Sequence, residues 1–567
     1  MILSDTLKHL KKIAWFAPGF LLYAAYPPMC EVVDAMFALA PLMWLSRQGV
    51  AKTSARRWFM SGMFFWAATL SWMPAIIKND GPWPLVVLGW AGLSAYCASY
   101  FALYGLLSAR YWAWAHGTLW RRLMGILVVE PVLWCGLEIV RSRFLGGFSW
   151  NQLGVVMVNS GFGSPAAVGG VYLCSALVIL INGSVAGIIE RIVAGVRRRF
   201  GRRFDADATN PWRSCETLLV FAAVWGVFFW SRTAARPETA RESLTVALVQ
   251  RNFPCCFKEQ EEDPQEIYLE NLYGRCVNAR PDLVVLPESA MSEFGAVDGR
   301  GGLEFARWSL DEFLRPKREA AAGVDGPRVS RAALLAGGAR VKGGRLYNSA
   351  ALYQAAQTAA ERPVYAPLQI YDKVHLVPFG EFIPLDKYIP SLQKLAPVGS
   401  CTPGEPKLLT LGEVPFGVAI CFEDTDAALV REFAAQGARF LCFITNDSWF
   451  SNSAEALAHA WQATARAVET GLPVVRVGNS GVTGVISPDG EKRWLGREGL
   501  PLVDEQGVGI ERISPPIVVG KDGDRLVTPY VRFGDAPIFI LFALLIGGMI
   551  LVKYRNHVHE KRRRVSL

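Results

Sequence analysis

The chain has 567 residues, of which 51% are hydrophobic, and it carries a formal net charge of +9 at pH 7. This length exceeds one ordinary domain, and a mean hydropathy of +0.23 excludes a purely soluble protein. The positive charge does not indicate nucleic-acid binding, because Lys and Arg cluster in short segments that flank apolar stretches. The 11 cysteines show neither a Cys-x-x-Cys pair nor paired Cys/His spacing, so no structural zinc site is expected.

Apolar stretches predict a polytopic α-helical membrane bundle of about eight spans. The first stretch follows Lys8, Lys11 and Lys12, and because no convincing small-residue cleavage site comes after it, an uncleaved helix is favoured over a signal peptide. The seventh stretch is short for a crossing. The eight stretches lie near residues 13–26, 30–46, 58–77, 83–108, 123–140, 164–190, 218–230 and 537–552.

Basic residues predict the orientation of these spans. They collect after the second, fourth and sixth stretches, and the positive-inside rule therefore assigns those loops and both chain ends to the cytoplasm. Arg141 and Arg143 oppose this assignment. The loop residues are Arg47, Lys52, Arg56, Arg57, Arg110, Arg121, Arg122, Arg191, Arg197, Arg198, Arg199, Arg202, Arg203 and Arg213.

Beyond the seventh stretch, charged residues become frequent and strand patterns alternate with helix patterns, which predicts a water-soluble α/β domain on the outer side of the membrane. The expected domains are a bundle at 1–235, a catalytic domain at 243–515, a C-terminal span at 535–553 and a basic cytoplasmic tail at 554–567. Predicted strands are 283–286, 333–337, 417–420 and 439–445, and predicted helices are 427–436 and 454–470.

Three apolar runs in this domain end in chemically active side chains. Residues 416–420 read as a buried strand that delivers Cys421, which is either a nucleophile or an ordinary buried cysteine. A second run, 282–286, ends before Glu288, and a third places Lys373 after Ile370-Tyr-Asp. Together the runs supply a thiol, a base and a cation.

Glu288, Lys373 and Cys421, in that chain order, resemble the catalytic triad of the nitrilase superfamily. The segments that carry the resemblance are 286–289, 371–381, 420–423, 446–450 and 478–483, and they are most similar to the apolipoprotein N-acyltransferase branch. The resemblance implies a four-layer α-β-β-α sandwich. It also implies that Cys421 is the nucleophile, Glu288 the general base and Lys373 a partner of the developing oxyanion.

The same resemblance implies supporting roles for Glu381, Glu423 and Phe422, the last standing where the family usually has tyrosine. Tyr347, Asn348, Asn446 and Trp449 match segments of the cavity wall and are expected to bind substrate, although Trp449 could equally be core. His375 and His459 are read as structural, with no metal and no cofactor. Residues 382–406 read as a lid or as a rigid loop.

Other polar residues leave questions open. Glu138 and Arg141 lie three apart within an apolar helix, so a paired interior role is expected. The pairing of the outer-domain cysteines cannot be read from the sequence. These are Cys255, Cys256, Cys276, Cys401 and Cys442.

The resemblance implies transfer of an acyl chain from a membrane phospholipid to the α-amino group of the S-diacylglyceryl-cysteine that begins an apolipoprotein. A monomer in the bacterial inner membrane is expected, with the bilayer, phospholipid and apolipoprotein as partners and no nucleic acid. One alternative is a membrane-anchored amidase that hydrolyses a soluble amide. Another is a transporter or scaffold whose outer domain only resembles an enzyme.

Overall fold

The structure is a computed structural model and forms two compact units, which are described separately. One contains residues 1–71, 87–234 and 533–567, and the other contains residues 72–86 and 235–532. The described residues are 15–48, 50–79, 81–115, 118–199, 212–233, 243–253, 279–291, 333–355, 365–383, 400–450, 453–497, 500–516 and 527–565.

The α-helices of the described chain are numbered in order. They are α1 (Ala17–Ala24), α2 (Ala40–Ser46), α3 (Ala51–Thr69), α4 (Trp83–Ala115), α5 (Leu119–Met124), α6 (Glu130–Arg141), α7 (Leu153–Met157), α8 (Ala166–Arg199), α9 (Trp212–Thr233), α10 (Ala427–Gln436), α11 (Glu455–Thr470), α12 (Pro529–Phe533) and α13 (Ala536–Val565).

The strands are numbered in the same way. They are β1 (Leu244–Gln250), β2 (Leu283–Val285), β3 (Ala333–Lys342), β4 (Arg345–Ala355), β5 (Tyr365–Asp372), β6 (Leu408–Leu411), β7 (Val414–Ile420), β8 (Phe440–Thr445), β9 (Val474–Gly478), β10 (Gly484–Ile486), β11 (Lys492–Trp494), β12 (Gly496–Arg497), β13 (Leu500–Pro501) and β14 (Gly507–Ile513).

The first unit is helical. Within the described residues, five helical segments are long and apolar enough to cross a membrane, and they overlap the third, fourth, fifth, sixth and eighth predicted stretches. Three shorter apolar helices, Val32–Ser46, Leu153–Phe162 and Thr217–Thr233, accompany them. The sequence analysis missed the second of these. A helical bundle is therefore confirmed, while the count of eight spans stays a prediction.

Buried charges in this unit bind specific partners. Arg47 donates to Glu130 across 3.1 Å and to the carbonyl oxygen of Gly183 across 2.8 Å. Glu138 and Arg141 are buried as expected, and both hydrogen-bond to main chain: Glu138 accepts from the Leu153 N–H, and Arg141 donates to the carbonyls of residues 148 and 150. The guanidinium of Arg141 also lies 4.7 Å over the ring of Trp66. Glu138 and Arg141 therefore hold the main chain of the segment that follows α6 in place.

The second unit contains two six-stranded sheets in the orders β14-β1-β2-β3-β4-β5 and β11-β10-β9-β8-β7-β6. Strands β1, β2 and β3 run parallel, as do β7, β8 and β9. The sheets share one apolar core, in which Leu248 and Leu335 of the first join Val418 and Ile444 of the second. All six residues of β8 are buried, and all but its last, Thr445, are apolar, as is typical of a strand in a sheet covered on both faces.

Helices α10 and α11 pack on the second sheet, against β7 and β9 respectively. Asp426 begins α10 by accepting hydrogen bonds from the N–H groups of Ala428 and Leu429, and Gly437 ends it with a left-handed φ of 109°. Both helices agree with the sequence predictions. Residues 254–278 and 292–332, which connect β1 to β2 and β2 to β3, lie outside the described residues.

Candidate active site

The predicted triad lies at strand ends of the second unit. Cys421 directly follows β7 and Lys373 directly follows β5, while Glu288 lies three residues beyond β2. Since β2 and β7 each belong to a run of parallel strands, their carboxyl ends are where an α/β sheet exposes functional side chains. The structure therefore brings together residues that are separated by 133 positions in the chain, from Glu288 to Cys421.

Lys373 is buried between two carboxylates. Its side chain is 1% exposed, and its Nζ lies 2.9 Å from Oε1 of Glu381 and 3.6 Å from Oε1 of Glu288. Burial alone lowers the pKa of a lysine, but Glu381 and Glu288 outweigh this and hold the pKa of Lys373 above its usual value. The lysine is consequently a fixed positive charge.

Two asparagines hold the carboxylate of Glu288. The Nδ2 of Asn348 donates to Oε1 of Glu288 across 2.7 Å and to Oε1 of Glu381 across 2.6 Å. The backbone N–H of Asn446 donates to the other oxygen of Glu288 across 2.9 Å. These contacts make both asparagines supports of the carboxylates, while the expectation that they bind substrate stays a prediction.

Glu423 joins the nucleophile turn to the lysine loop. One of its oxygens accepts from the N–H groups of Val374 and His375, and the other accepts from the Ile420 N–H. The hydroxyl of Tyr371 donates to the same carboxylate at 3.0 Å. Burial raises the pKa of Glu423 to about 7, against the lowering effect of Lys373 and these N–H groups. The carboxylate is thus a structural clamp between β5 and β7.

Cys421 occupies a constrained turn. Its φ is 54°, which a non-glycine residue adopts at an energetic cost, and it opens a 3₁₀ helix, Cys421–Thr425. Ser289, next to Glu288, has a φ of 56°. A Cβ on Gly337 would lie 2.6 Å from Cα of Glu288, so the glycine lets β3 approach the base closely. Backbone strain therefore falls on both sides of the reacting groups.

The charges around Cys421 favour a protonated thiol that loses its proton only during the reaction, rather than a thiolate present beforehand. Burial, reinforced by Glu288, raises the pKa of the Cys421 thiol well above its usual value. Burial also raises the pKa of Glu288, although Lys373 opposes the increase. A protonated thiol beside a carboxylate with a raised pKa suits general-base activation at the moment of attack.

The remaining predicted residues lie around this centre. Tyr347 is the neighbour of Asn348 in β4, and because strand side chains alternate, its ring lies on the opposite face, 5.4 Å from the guanidinium carbon of Arg340. Phe422 and Trp449 are half-buried. The carbonyl of Trp449 accepts from Nδ2 of Asn79 across 2.9 Å. Substrate contacts of these residues stay predictions.

The structure also describes some of the cysteines, histidines and loop residues singled out in the sequence. Cys401 and Cys442 are free cysteines. His375 forms an ion pair with Asp426, the cap of α10, as its structural reading requires. The predicted lid falls mostly in residues 384–399, which lie outside the described residues, as do Cys255, Cys256 and Cys276.

Sequence reasoning missed three parts of this unit. Tyr371, in contact with Glu423, is fully buried. Segment 72–86 belongs to this unit, and the ring of Trp72 packs edge-on against Phe450 with centroids 4.6 Å apart. Arg476 interrupts the apolar strand β9, and a charge in such a strand could have signalled a buried ionic cluster.

Comparison with known proteins identifies the family. Residues 18–184 match the domain family described as apolipoprotein N-acyltransferase N-terminal domain, and residues 245–492 match carbon-nitrogen hydrolase. A protein named apolipoprotein N-acyltransferase from Geobacter metallireducens is 30% identical, covering 96% of this chain and 95% of its own. The chain belongs to the apolipoprotein N-acyltransferase family.

A second relative agrees with that assignment. A protein of the same name from Vibrio cholerae is 27% identical, covering 96% of this chain and 98% of its own. The named relatives and the two matched domain families make the protein an acyltransferase of the inner membrane with a carbon-nitrogen hydrolase domain. Among solved structures, the chain is similar to an amidase from Nesterenkonia sp. AN1 at 18% identity and a TM-score of 0.35, over 53% of this chain and 97% of that one.

Proposed function

We propose that this member of the apolipoprotein N-acyltransferase family moves an acyl chain from a phospholipid to the α-amino group of an apolipoprotein's S-diacylglyceryl-cysteine. The observation that carries the proposal is the arrangement around Lys373, one buried cation between Glu288 and Glu381, beside a strand-end cysteine. The helices long enough to cross a membrane support a lipid as the acyl donor.

In the first half-reaction, Glu288 takes the proton from Sγ of Cys421 as the sulfur attacks the ester carbonyl of the phospholipid. The negative charge that develops on the carbonyl oxygen is stabilised by Lys373, a contribution of about 3 kcal/mol for one well-placed donor. Collapse of the intermediate breaks the ester C–O bond. Glu288 returns its proton to the leaving oxygen, which releases a lysophospholipid and leaves a thioester on Cys421.

In the second half-reaction, the neutral α-amine of the acceptor attacks the thioester. A free α-amino group has a pKa of about 7.7 to 8.0, so a useful fraction is uncharged near neutral pH. Glu288 removes the proton that the new amide nitrogen must lose and passes it to the departing Sγ of Cys421. The products are the N-acylated lipoprotein and the regenerated thiol.

We also propose the orientation. The catalytic unit would face the periplasm, with both chain ends in the cytoplasm, because the basic residues collect in alternate loops and in the C-terminal tail. Labelling of single cysteines placed near residues 245 and 560 tests this. Accessibility of both positions from the same side would contradict the orientation.

The decisive experiment is the mass of the peptide containing Cys421 after the full-length protein in detergent is incubated with phospholipid. We expect the mass to increase by one acyl chain and to revert when a diacylglyceryl-cysteine peptide is added, with the acyl chain recovered on that peptide. Cys421→Ala should abolish both steps. Cys401→Ala is the matched control, because this second half-buried thiol also lies near the site, and it should acylate normally.

Two results would contradict the proposal. If Cys421→Ala still N-acylates the peptide, no thioester on Cys421 is required. If water discharges the wild-type thioester as fast as the peptide does, the amidase alternative is favoured, since it uses the same three residues with water as the acceptor.

A further inference from the structure

Next to the triad lies a cluster of ionisable side chains for which the proposed chemistry has no use. Each member is at most 3% exposed. The members come from four elements: the turn after β7, the 3₁₀ helix after β8, helix α11 and strand β9. They are Asp424, Asp447, Glu455, His459 and Arg476.

Four of these side chains form a closed ring of alternating charge. The Nε2 of His459 lies 2.8 Å from Oδ1 of Asp424, and its Nδ1 lies 3.0 Å from Oδ1 of Asp447. Arg476 closes the ring from the other side, with Nη2 3.2 Å from Asp447 and Nη1 3.7 Å from Asp424. Each carboxylate thus contacts both cations.

The ring connects the turn that carries Cys421 to the loop that supports Glu288. Asp424 belongs to the same 3₁₀ turn as Cys421. Asp447 directly follows Asn446, whose backbone N–H holds Glu288. Asp447 also accepts a hydrogen bond of 2.8 Å from the hydroxyl of Thr445. Displacement of either carboxylate would therefore move the nucleophile or the support of the base.

The charges balance without an added ion. Burial lowers the pKa of a histidine, but Asp424 and Asp447 raise the pKa of His459 to about 10, so the ring holds two positive and two negative charges at neutral pH. Burial and Asp447 raise the pKa of Glu455 well above its usual value, which favours the neutral form of this carboxyl, 3.5 Å from Nδ1 of His459.

A metal ion is the main alternative occupant. Asp447, Glu455 and His459 offer ligand atoms within 4.8 Å of one another, a spacing that could hold one. However, the guanidinium of Arg476 already contacts Asp447, and both ring nitrogens of His459 face carboxylates. A cation added there would have to displace or repel the cations already present.

We propose that the ring of Asp424, His459, Asp447 and Arg476 is a positioning unit for acyl transfer, which holds the Cys421 turn in register with the loop that supports Glu288. The inference rests on the proposed roles of Cys421 and Glu288. No member of the ring touches the acyl group; each acts through the main chain or the field of its neighbours.

The ring also has an electrostatic consequence that a purely structural cluster would not have. The charged or ionisable groups that face Glu288 are Lys373 after β5, Glu381 in the following loop, Cys421 after β7 and Asp447 after β8. Asp447 raises the pKa of both Glu288 and Cys421. The cations of the ring neutralise Asp447 and so limit this effect.

Two variants that each remove one charge should therefore shift the pH profile in opposite directions. His459→Gln removes a positive charge from beside Asp447, so the pH at which acylation begins should rise. Asp447→Asn removes the negative charge, so that pH should fall. Both should slow acylation, by up to about 100-fold if the loops move by an ångström, while the KM for phospholipid stays at the wild-type value.

The test measures the pH dependence of Cys421 acylation by mass spectrometry, using the full-length protein in detergent. A parallel measurement follows alkylation of Cys421 by iodoacetamide, which needs neither phospholipid nor acceptor. His375→Gln is the matched control, because this imidazole also forms an ion pair with an aspartate but lies outside the ring, and its profile should stay in place. Thermal unfolding of each variant reports whether it is folded.

The proposal is overturned if the two variants slow the reaction without moving the profile, or move it in the same direction. It is also overturned if the purified protein contains one equivalent of metal and a chelator abolishes acylation. If His459→Gln does not fold, Asp447→Asn alone tests the proposal. In that case the pH profile of its Cys421 acylation must move to lower pH. Failure of wild-type Cys421 to form a thioester would refute the proposed function, whereas the alkylation profiles would still decide on the ring.

Discussion

Buried charge is arranged differently in the helical unit and in the catalytic unit. In the helical unit, Arg47 meets a single carboxylate, Glu130, whose other oxygen accepts from Nε1 of Trp112 across 2.9 Å. In the catalytic unit, Lys373 is shared by the carboxylates of Glu288 and Glu381. The first arrangement has one positive charge for one negative charge; the second has an excess of carboxylate.

The difference shows how similar groups serve stability in one region and reactivity in another. The ion pair of Arg47 and Glu130 joins two parts of the helical unit. Burial raises the pKa of Glu288, with Glu381 adding to the increase and Lys373 opposing it, and a carboxylate with a raised pKa can accept and release a proton during a reaction. Variants that remove a carboxylate charge in one unit or the other test this difference.

The largest effect is expected from Glu288→Gln. The amide keeps the shape of the side chain and can still accept from the Asn446 N–H, but it cannot take the thiol proton. Formation of the Cys421 thioester should therefore slow by about 10² to 10⁴-fold. Mass spectrometry of the Cys421 peptide at timed intervals measures the rate. A wild-type rate would show that Glu288 is not the base.

In contrast to Glu288→Gln, Glu130→Gln should lower the stability of the protein and leave the acylation rate unchanged. Removal of one member of a buried ion pair leaves an uncompensated charge on Arg47, which we expect to lower the free energy of unfolding by about 3 to 5 kcal/mol. The acylation rate per folded molecule should not change. Denaturant unfolding in detergent gives the first quantity and timed acylation gives the second.

The double variant Arg47→Met with Glu130→Gln is the control for this prediction. Because it removes the charge left behind in the single variant, part of the lost stability should return. If Glu130→Gln instead slowed acylation without loss of stability, the distinction between the two regions would be wrong.

The sequence was sufficient to select Glu288, Lys373 and Cys421, which the structure brings together, because each lies in a local pattern, an apolar run that ends in a polar side chain. It was insufficient for Asn348, whose two carboxylate partners come from other parts of the chain. The ring around His459 was missed for the same reason, since α11 is buried at nearly every position and the partners of His459 come from the turn after β7 and the 3₁₀ helix after β8. Partners that meet only in the folded sheet cannot be assigned from spacing alone.

A smaller effect is expected from Asn348→Ala. Loss of Nδ2 removes a hydrogen bond from both Glu288 and Glu381, and bonds to charged groups contribute about 1.5 to 3 kcal/mol each. Acylation should slow by roughly 10- to 100-fold, the rate equivalent of about 1.4 to 2.8 kcal/mol. Arg345→Ala is the matched control, since that exposed side chain lies on the other face of β4, and it should leave the acylation rate near the wild-type value. Equal losses would mean that strand packing, not the hydrogen bonds, is responsible.

The smallest effect is expected at Phe422, between the strained Cys421 and the clamp Glu423. Its side chain is half-buried, and its carbonyl accepts a hydrogen bond of 2.8 Å from Thr425 that does not depend on the ring. If the site uses an aromatic ring rather than a hydroxyl, Phe422→Tyr should acylate at least as fast as the wild type. Phe422→Ala should be slower, because the cavity loosens packing beside the nucleophile. Timed acylation of all three proteins is the measurement, and equal rates would show that the position lies outside the active site.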